Sequence, residues 1–313
     1  MLEVKSISRA FGRTRAVKDI SFTIGQGEVV ALLGPNGAGK TTTIRMVTGF
    51  LPPDSGNIVI GGFDMGEESL EARRLIGYLP ENAPLYPEMQ VRAYLAFRAS
   101  LAGVRGSRAG EAIDRELARC DLASVATKRI GALSKGFRQR VGLAAALVHD
   151  PAVVILDEPS NGLDPSQILQ FRTLIGTLAR ERTMLISSHI LAEVQKICTR
   201  VIVISGGTVR ADGTPAALAR RAGSRRIFTV AFTDSEHQAA LEMLRAIPNV
   251  HDVNPVLRPG EARFEVLGDD LDLRLRIARA AHDKGLMLFE LSEQAPSLEE
   301  SFMQLTTQQE LHS

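Results

Sequence analysis

The sequence predicts an α/β domain followed by a small α+β domain, and three observations carry that expectation. Short apolar runs at Glu28–Leu33, Ala152–Leu156 and Thr183–Ser187 have the length and composition of strands buried on both faces. The first runs into a Gly-rich turn and then, over Lys40–Thr48, into a helical stretch, the alternation an α/β domain requires. After residue 222 the pattern changes: Ile227–Phe232, Val250–Val256, Arg263–Leu267 and Leu286–Leu291 read as strands, with helical stretches at Glu236–Ala246 and Leu271–Lys284. That order, strand–helix–strand–strand–helix–strand, is ferredoxin-like.

The two regions are expected to span residues 1–222 and 223–313. A helical insert over about 88–148 separates the first strand from the later ones. There Val91, Tyr94, Leu95 and Leu101 recur at helical spacing, as do Ile113, Leu117 and Cys120. The joint, Ala219–Arg226, is basic and interrupted by Gly223. It reads either as a solvated linker or as a membrane- or nucleic-acid-binding patch, and arginines without interleaved aromatics favour the linker. A last helix near Leu298–Leu305 would close the second region.

Composition excludes several classes. Lys plus Arg number 37 against 36 Asp plus Glu, a formal net charge of +1, which argues against a protein that grips nucleic acid by bulk electrostatics. Apolar stretches such as Val141–Val148 fall far short of the roughly 20 residues a membrane span needs. Met1–Ala10 carries charges throughout and lacks the apolar centre of a signal peptide. Cys120 and Cys198 have no metal-type spacing. A cytosolic chain is expected, with any membrane role exercised through a partner.

Chemistry concentrates in two places. Gly34, Pro35, Asn36, Gly37, Ala38, Gly39, Lys40 and Thr41, with Thr42 following, fit the P-loop pattern at the required junction of strand and helix. Glycines let the backbone curl so that successive N–H groups face phosphate oxygens, and the helix start adds partial positive charge. Lys40 adds a full charge, and the Thr41 hydroxyl suits Mg²⁺. The second place is the apolar strand ending in Asp157 and Glu158. Asp157 is then directed at the metal, and Glu158 can polarise the water attacking the γ-phosphate. Alone, such a pair would read as a helix cap; downstream of a P-loop the catalytic reading is preferred.

Leu133-Ser134-Lys135-Gly136-Phe137-Arg138-Gln139-Arg140, just before the acidic strand, resembles the signature motif of ABC ATPases. Taken alone, Ser134 would be a helix N-cap. The resemblance implies that Ser134 and the N–H groups around Gly136 serve the γ-phosphate held by a second copy. It further implies that Ser160–Pro165, containing Asp164, crosses the dimer interface and that His189 contacts the γ-phosphate. Phe11 would stack on adenine, with a core aromatic as the other reading. In Tyr78-Leu-Pro-Glu81-Asn82, Glu81 stands where the family has Gln, and is expected at the metal or the attacking water. In the signature, Lys135 and Phe137 replace the commoner Gly and Gln.

The signature, the Tyr78–Glu81 stretch and Pro296–Phe302 together resemble the ATPase subunits of ABC-2-type exporters, nearest the gliding-motility-associated group. The resemblance implies a homodimer that binds two ATP with Mg²⁺ and drives a separate integral membrane permease, with no nucleic-acid partner. It makes the second region a dimerising or regulatory unit. Two other functions fit the sequence less well. A ribosome- or chromosome-acting ABC protein would carry two cassettes or a long coiled coil, and neither is present here. A module that holds ATP without splitting it is opposed by Glu158 and His189.

Overall fold

The computed structural model describes residues 1–189, 196–221, 226–268 and 272–294. The expected closing helix near Leu298–Leu305, the Pro296–Phe302 stretch and residues 222–225 of the joint lie outside them. The chain divides after Pro215 into two compact units.

The first unit holds two sheets. One is antiparallel, in the order β2 (Thr14–Ile24), β1 (Leu2–Phe11), β4 (Ser55–Ile60), β5 (Phe63–Asp64). The other runs β10 (Thr208–Gly213), β9 (Arg200–Ser205), β3 (Val29–Leu33), β8 (Thr183–Ser188), β7 (Val153–Asp157), β6 (Ile76–Leu79). Strands β3, β6, β7, β8 and β9 are parallel, and β10 closes one edge antiparallel to β9. Every residue of β3 and β7 is buried, which explains why they read as continuous apolar runs rather than alternating ones. Side chains of both sheets, among them Leu2, Ile20, Ile58, Leu32, Ile155 and Leu185, share one core.

Helix α1 (Lys40–Val47) follows β3, and the short α2 (Ser69–Arg74) precedes β6. The insert comprises α3 (Val91–Leu101), α4 (Ser107–Arg119) and α5 (Lys135–Leu147). Val91, Tyr94 and Leu95 are buried as the spacing required, but Leu101 is 68% exposed. Leu101 lies only about 20° around the helix from buried Tyr94, so its exposure goes with its place as the last residue of α3 rather than with its angle. Helix α6 (Pro165–Leu178) leads to β8, and α7 (Pro215–Arg221) straddles the division between the units.

The second unit is a four-stranded antiparallel sheet in the order β12 (Val250–Arg258), β13 (Glu261–Gly268), β11 (Arg226–Thr233), β14 (Leu288–Gln294). Helices α8 (His237–Arg245) and α9 (Leu273–Asp283) connect β11 to β12 and β13 to β14. This is the ferredoxin-like arrangement predicted. Alternate residues Phe228, Val230 and Phe232 of β11, and Ala262, Phe264 and Val266 of β13, meet Ala240, Leu244, Leu273 and Ile277 of the helices in one core. Both helices therefore cover the same face of the sheet.

Candidate nucleotide site

The β3–α1 junction is shaped by two glycines that no other residue could replace. A Cβ on Gly34 would lie 2.3 Å from the Ile204 carbonyl oxygen. Gly39, at φ +105°, would place one 2.5 Å from the Ala16 carbonyl oxygen. The turn is thus packed hard against β9 and the β2 segment from behind, and its open side faces a cleft.

That cleft, of about 620 Å³, is lined by Phe11, Ala16, Asn36, Gly37, Ala38, Gly39, Lys40, Thr41, Thr42, Glu81, Glu158, Asn161 and His189. Phe11 is half exposed there, so it is not a core aromatic; the Arg9 guanidinium lies 5.4 Å from its ring centroid. The Lys40 ammonium is buried. It donates to the carbonyls of Gly34 (2.7 Å) and Pro35 (3.3 Å) and lies 3.4 Å from Glu158 Oε1. The other oxygen of Glu158 is 2.7 Å from His189 Nδ1. Glu158 thus stands between the loop lysine and the histidine, with one carboxylate oxygen facing each.

Asp157 is 99% buried beneath the cleft, with Thr41 Oγ1 at 3.5 Å and Ser187 Oγ at 2.6 Å from its Oδ1. Burial pushes its carboxyl above the ordinary value; the Ser187 hydroxyl opposes this, and the charges of Glu158 and Glu81 add to it. Nearby, burial and the Asp157 charge push the Tyr78 phenol up to about 12, so it stays protonated. Glu81 is exposed at the rim and its Oε1 accepts from Asn161 Nδ2 at 2.7 Å.

Glu158 itself has φ +45°, a left-handed conformation that costs a non-glycine residue of order 1–3 kcal/mol. Its N–H is held by Ser187 Oγ at 2.8 Å. Strain retained at a buried carboxylate facing a cleft belongs with function rather than with packing.

Ser134, Gly136 and Asp164 do not line this cleft. Ser134 caps α5, its Oγ accepting from the Phe137 N–H at 3.4 Å, and lines a separate hollow with Gly136, Arg140 and Gln167. Asp164 caps α6, accepting from the Gln167 N–H (2.9 Å) and the Ser166 hydroxyl (2.7 Å), bonds that hold its carboxyl below the ordinary range. Lys135 spans the gap to the loop before α6: its ammonium occupies the space a Gly162 side chain would need.

The donors fit a nucleoside triphosphate with a hard cation. Among the described residues no group of three or more His, Cys, Asp and Glu could hold a metal. A cation would rest on the Thr41 hydroxyl, Asp157 and the phosphates themselves, with Glu81 at the rim, the few-ligand arrangement Mg²⁺ prefers. Two contributors, Ser187 and Asn161, carry no motif in the sequence. Ser187 was hidden as one residue of an apolar strand, and its only visible signal was a hydroxyl pair, Ser187-Ser188, directly before His189. Asn161 lies inside the Ser160–Pro165 loop, where nothing in the sequence marks it as the partner of Glu81.

Strand, glycine turn, buried lysine and strand-end carboxylates define a P-loop nucleoside triphosphatase. The pattern of the ABC transporter family matches residues 17–161. The linearmycin resistance ATP-binding protein LnrL of Bacillus subtilis (strain 168) is 33% identical over 319 residues, 98% of each chain. The Nod factor export ATP-binding protein I of Rhizobium sp. (strain N33) is 33% identical over 306 residues, 97% of this chain and 96% of that one. A solved ATP-binding subunit of an ABC transporter superposes with a TM-score of 0.65 at 31% identity, over 71% of this chain and 92% of that one. The chain belongs to the ATP-binding proteins of ABC transporters: it binds ATP and hydrolyses it. Among the described residues, no helix is long and apolar enough to cross a membrane.

Proposed function

We propose that two copies of this chain close around two ATP molecules and thereby drive a separate membrane permease of the exporter type. The observation that carries this reading is the separation of the two phosphate-directed elements within one chain. The P-loop cleft holds Lys40, Glu158 and His189, whereas Ser134 and Gly136 start α5 in another hollow. A second copy is then needed to bring an α5 start to the phosphate. Export is supported by the likeness to the Nod factor export protein. A permease would hold the chain at the cytoplasmic face of the membrane.

In the composite site, Phe11 stacks on adenine and Lys40 exchanges its bonds to Gly34 and Pro35 for the β- and γ-phosphates. Thr41 and Asp157, with Glu81 at the rim, would hold Mg²⁺, whose charge would offset the charge developing on the phosphate oxygens. Glu158, released from Lys40, accepts the proton of the attacking water, and His189 steadies that carboxylate through its 2.7 Å contact. Ser134 and the N–H groups near Gly136 of the other copy bind the γ-phosphate, and the Asp164 loop lies along the interface. The second unit adds dimer contacts or regulation.

Ser134→Arg and Glu158→Gln should each be nearly inactive alone. Mixed, they form dimers with one intact composite site, so activity should rise above either parent. Failure of the mixture to recover any hydrolysis, with mixed dimers shown by differential tagging, would count against the two-sided site.

Glu81 joins the cleft to the irregular Pro80–Glu88 segment through Asn161. That segment presents Tyr86, which packs edge-on against Tyr94 at 5.9 Å yet is 46% exposed. Glu81→Gln is expected to leave ATP affinity and basal hydrolysis within about twofold while changing permease-stimulated hydrolysis more. Rates in reconstituted membranes check this; a collapsed basal rate with an unchanged stimulation ratio would make Glu81 part of the hydrolytic machinery instead.

A further inference from the structure

Ser187 is fully buried in β8, paired in register with Asp157 on one side and Leu32 on the other. Register partners on adjacent strands carry their side chains on the same face, so the Ser187 hydroxyl lies alongside the Asp157 carboxylate. One hydroxyl makes both of its bonds at this spot. It donates to Asp157 Oδ1 at 2.6 Å and accepts from the Glu158 N–H at 2.8 Å. The second bond falls on a residue with φ +45°, a conformation that persists only where surrounding structure fixes it.

We propose that Ser187 is a positioning residue for ATP hydrolysis, its hydroxyl setting the rotamer of Asp157 and the turn of Glu158 together. The inference rests on the roles given above to those two carboxylates. Nothing in the proposal requires Ser187 to touch nucleotide. An apolar residue of similar size would fill the strand equally well, and a β-branched residue suits β8 on backbone grounds. What such a residue would lose is the link between two consecutive carboxylates with different tasks. Asp157 would be free to turn about χ1, and Glu158 would keep a buried N–H without its acceptor.

The test separates hydroxyl from volume. Ser187→Thr and Ser187→Val differ in one group and have nearly the same shape, while Ser187→Ala removes the hydroxyl without adding bulk. Each is assayed in the full chain for kcat and KM, and for equilibrium ATP binding with Mg²⁺ and with chelator. In Ser187→Ala and Ser187→Val, kcat should fall about 10–100-fold, the usual loss when a partner orienting a metal ligand is removed. Metal-free ATP affinity should stay at the wild-type value, and the gain in affinity on adding Mg²⁺ should shrink. Ser187→Thr should recover most of both. A Ser187→Ala chain at wild-type kcat, or equal losses in Ser187→Thr and Ser187→Val, overturns the proposal. Glu158→Gln is measured alongside. Fast hydrolysis by that variant would remove the carboxylate reading itself, whereas a slow Glu158→Gln beside a fast Ser187→Ala removes only the role of Ser187.

Discussion

Replacing Glu158 with Gln is expected to slow ATP hydrolysis about 10²–10⁴-fold, the range attributable to a lost general base, while ATP binding persists. The amide keeps the shape of the side chain and can still meet His189, but it cannot take a proton. The substitution also dissolves the 3.4 Å pair with Lys40. An ammonium no longer balanced by a buried carboxylate attracts phosphate at least as well as before, so ATP affinity should hold or rise. A long-lived dimer with ATP should accumulate, visible by sedimentation. Single-turnover hydrolysis within a few fold of wild type would remove Glu158 from the role of base.

Lys40→Ala should act on the opposite quantity. Its ammonium is the full positive charge buried at the P-loop, and charge-assisted hydrogen bonds of this kind contribute about 1.5–3 kcal/mol, or roughly 10- to 150-fold in affinity. ATP affinity should fall by at least that factor in equilibrium titration, before any effect on chemistry. Thermal stability without nucleotide should fall as well, because the Glu158 carboxylate loses its buried cation. A variant that binds ATP as wild type would show that the Gly34 and Pro35 carbonyls, not phosphate, are the ligands that matter to Lys40.

How much of this was legible depended on the range of the interactions. Strands β3, β7 and β8 were readable to within a residue or two because burial on both faces makes them uniform apolar runs. The second unit was equally open: its elements alternate at the periods of strand and helix, and neighbouring elements pack on one another. The N-terminal strands β1 and β2 were not read. Their pairing slips between Val4 and Ile7 and again between Ile7 and Arg9, and Ser6 and Asp19 take positive φ, so the alternation that announces a half-buried strand is broken. In the site, P-loop and acidic strand stood out because their residues are contiguous. Ser187 could not, since its meaning lies wholly in a cross-strand register that brings it to Asp157, 30 positions away.

Strand β3 is flanked by β8 and β9, with Val29 opposite Met184 and Val30 opposite Arg200. During synthesis at about 5–20 residues per second, the 155 residues from Val29 to Met184 (184 − 29) take roughly ten to thirty seconds to appear. Throughout that interval β1 and β2 can already pair with one another, being close in sequence. The apolar strand that carries the P-loop has neither of its neighbours. The P-loop strand is thus made early in the nascent chain but is among the last to find its partners. Holding Val29–Leu33 out of aggregates for that time falls to the cell's folding machinery, or to transient cover from the β1–β2 hairpin.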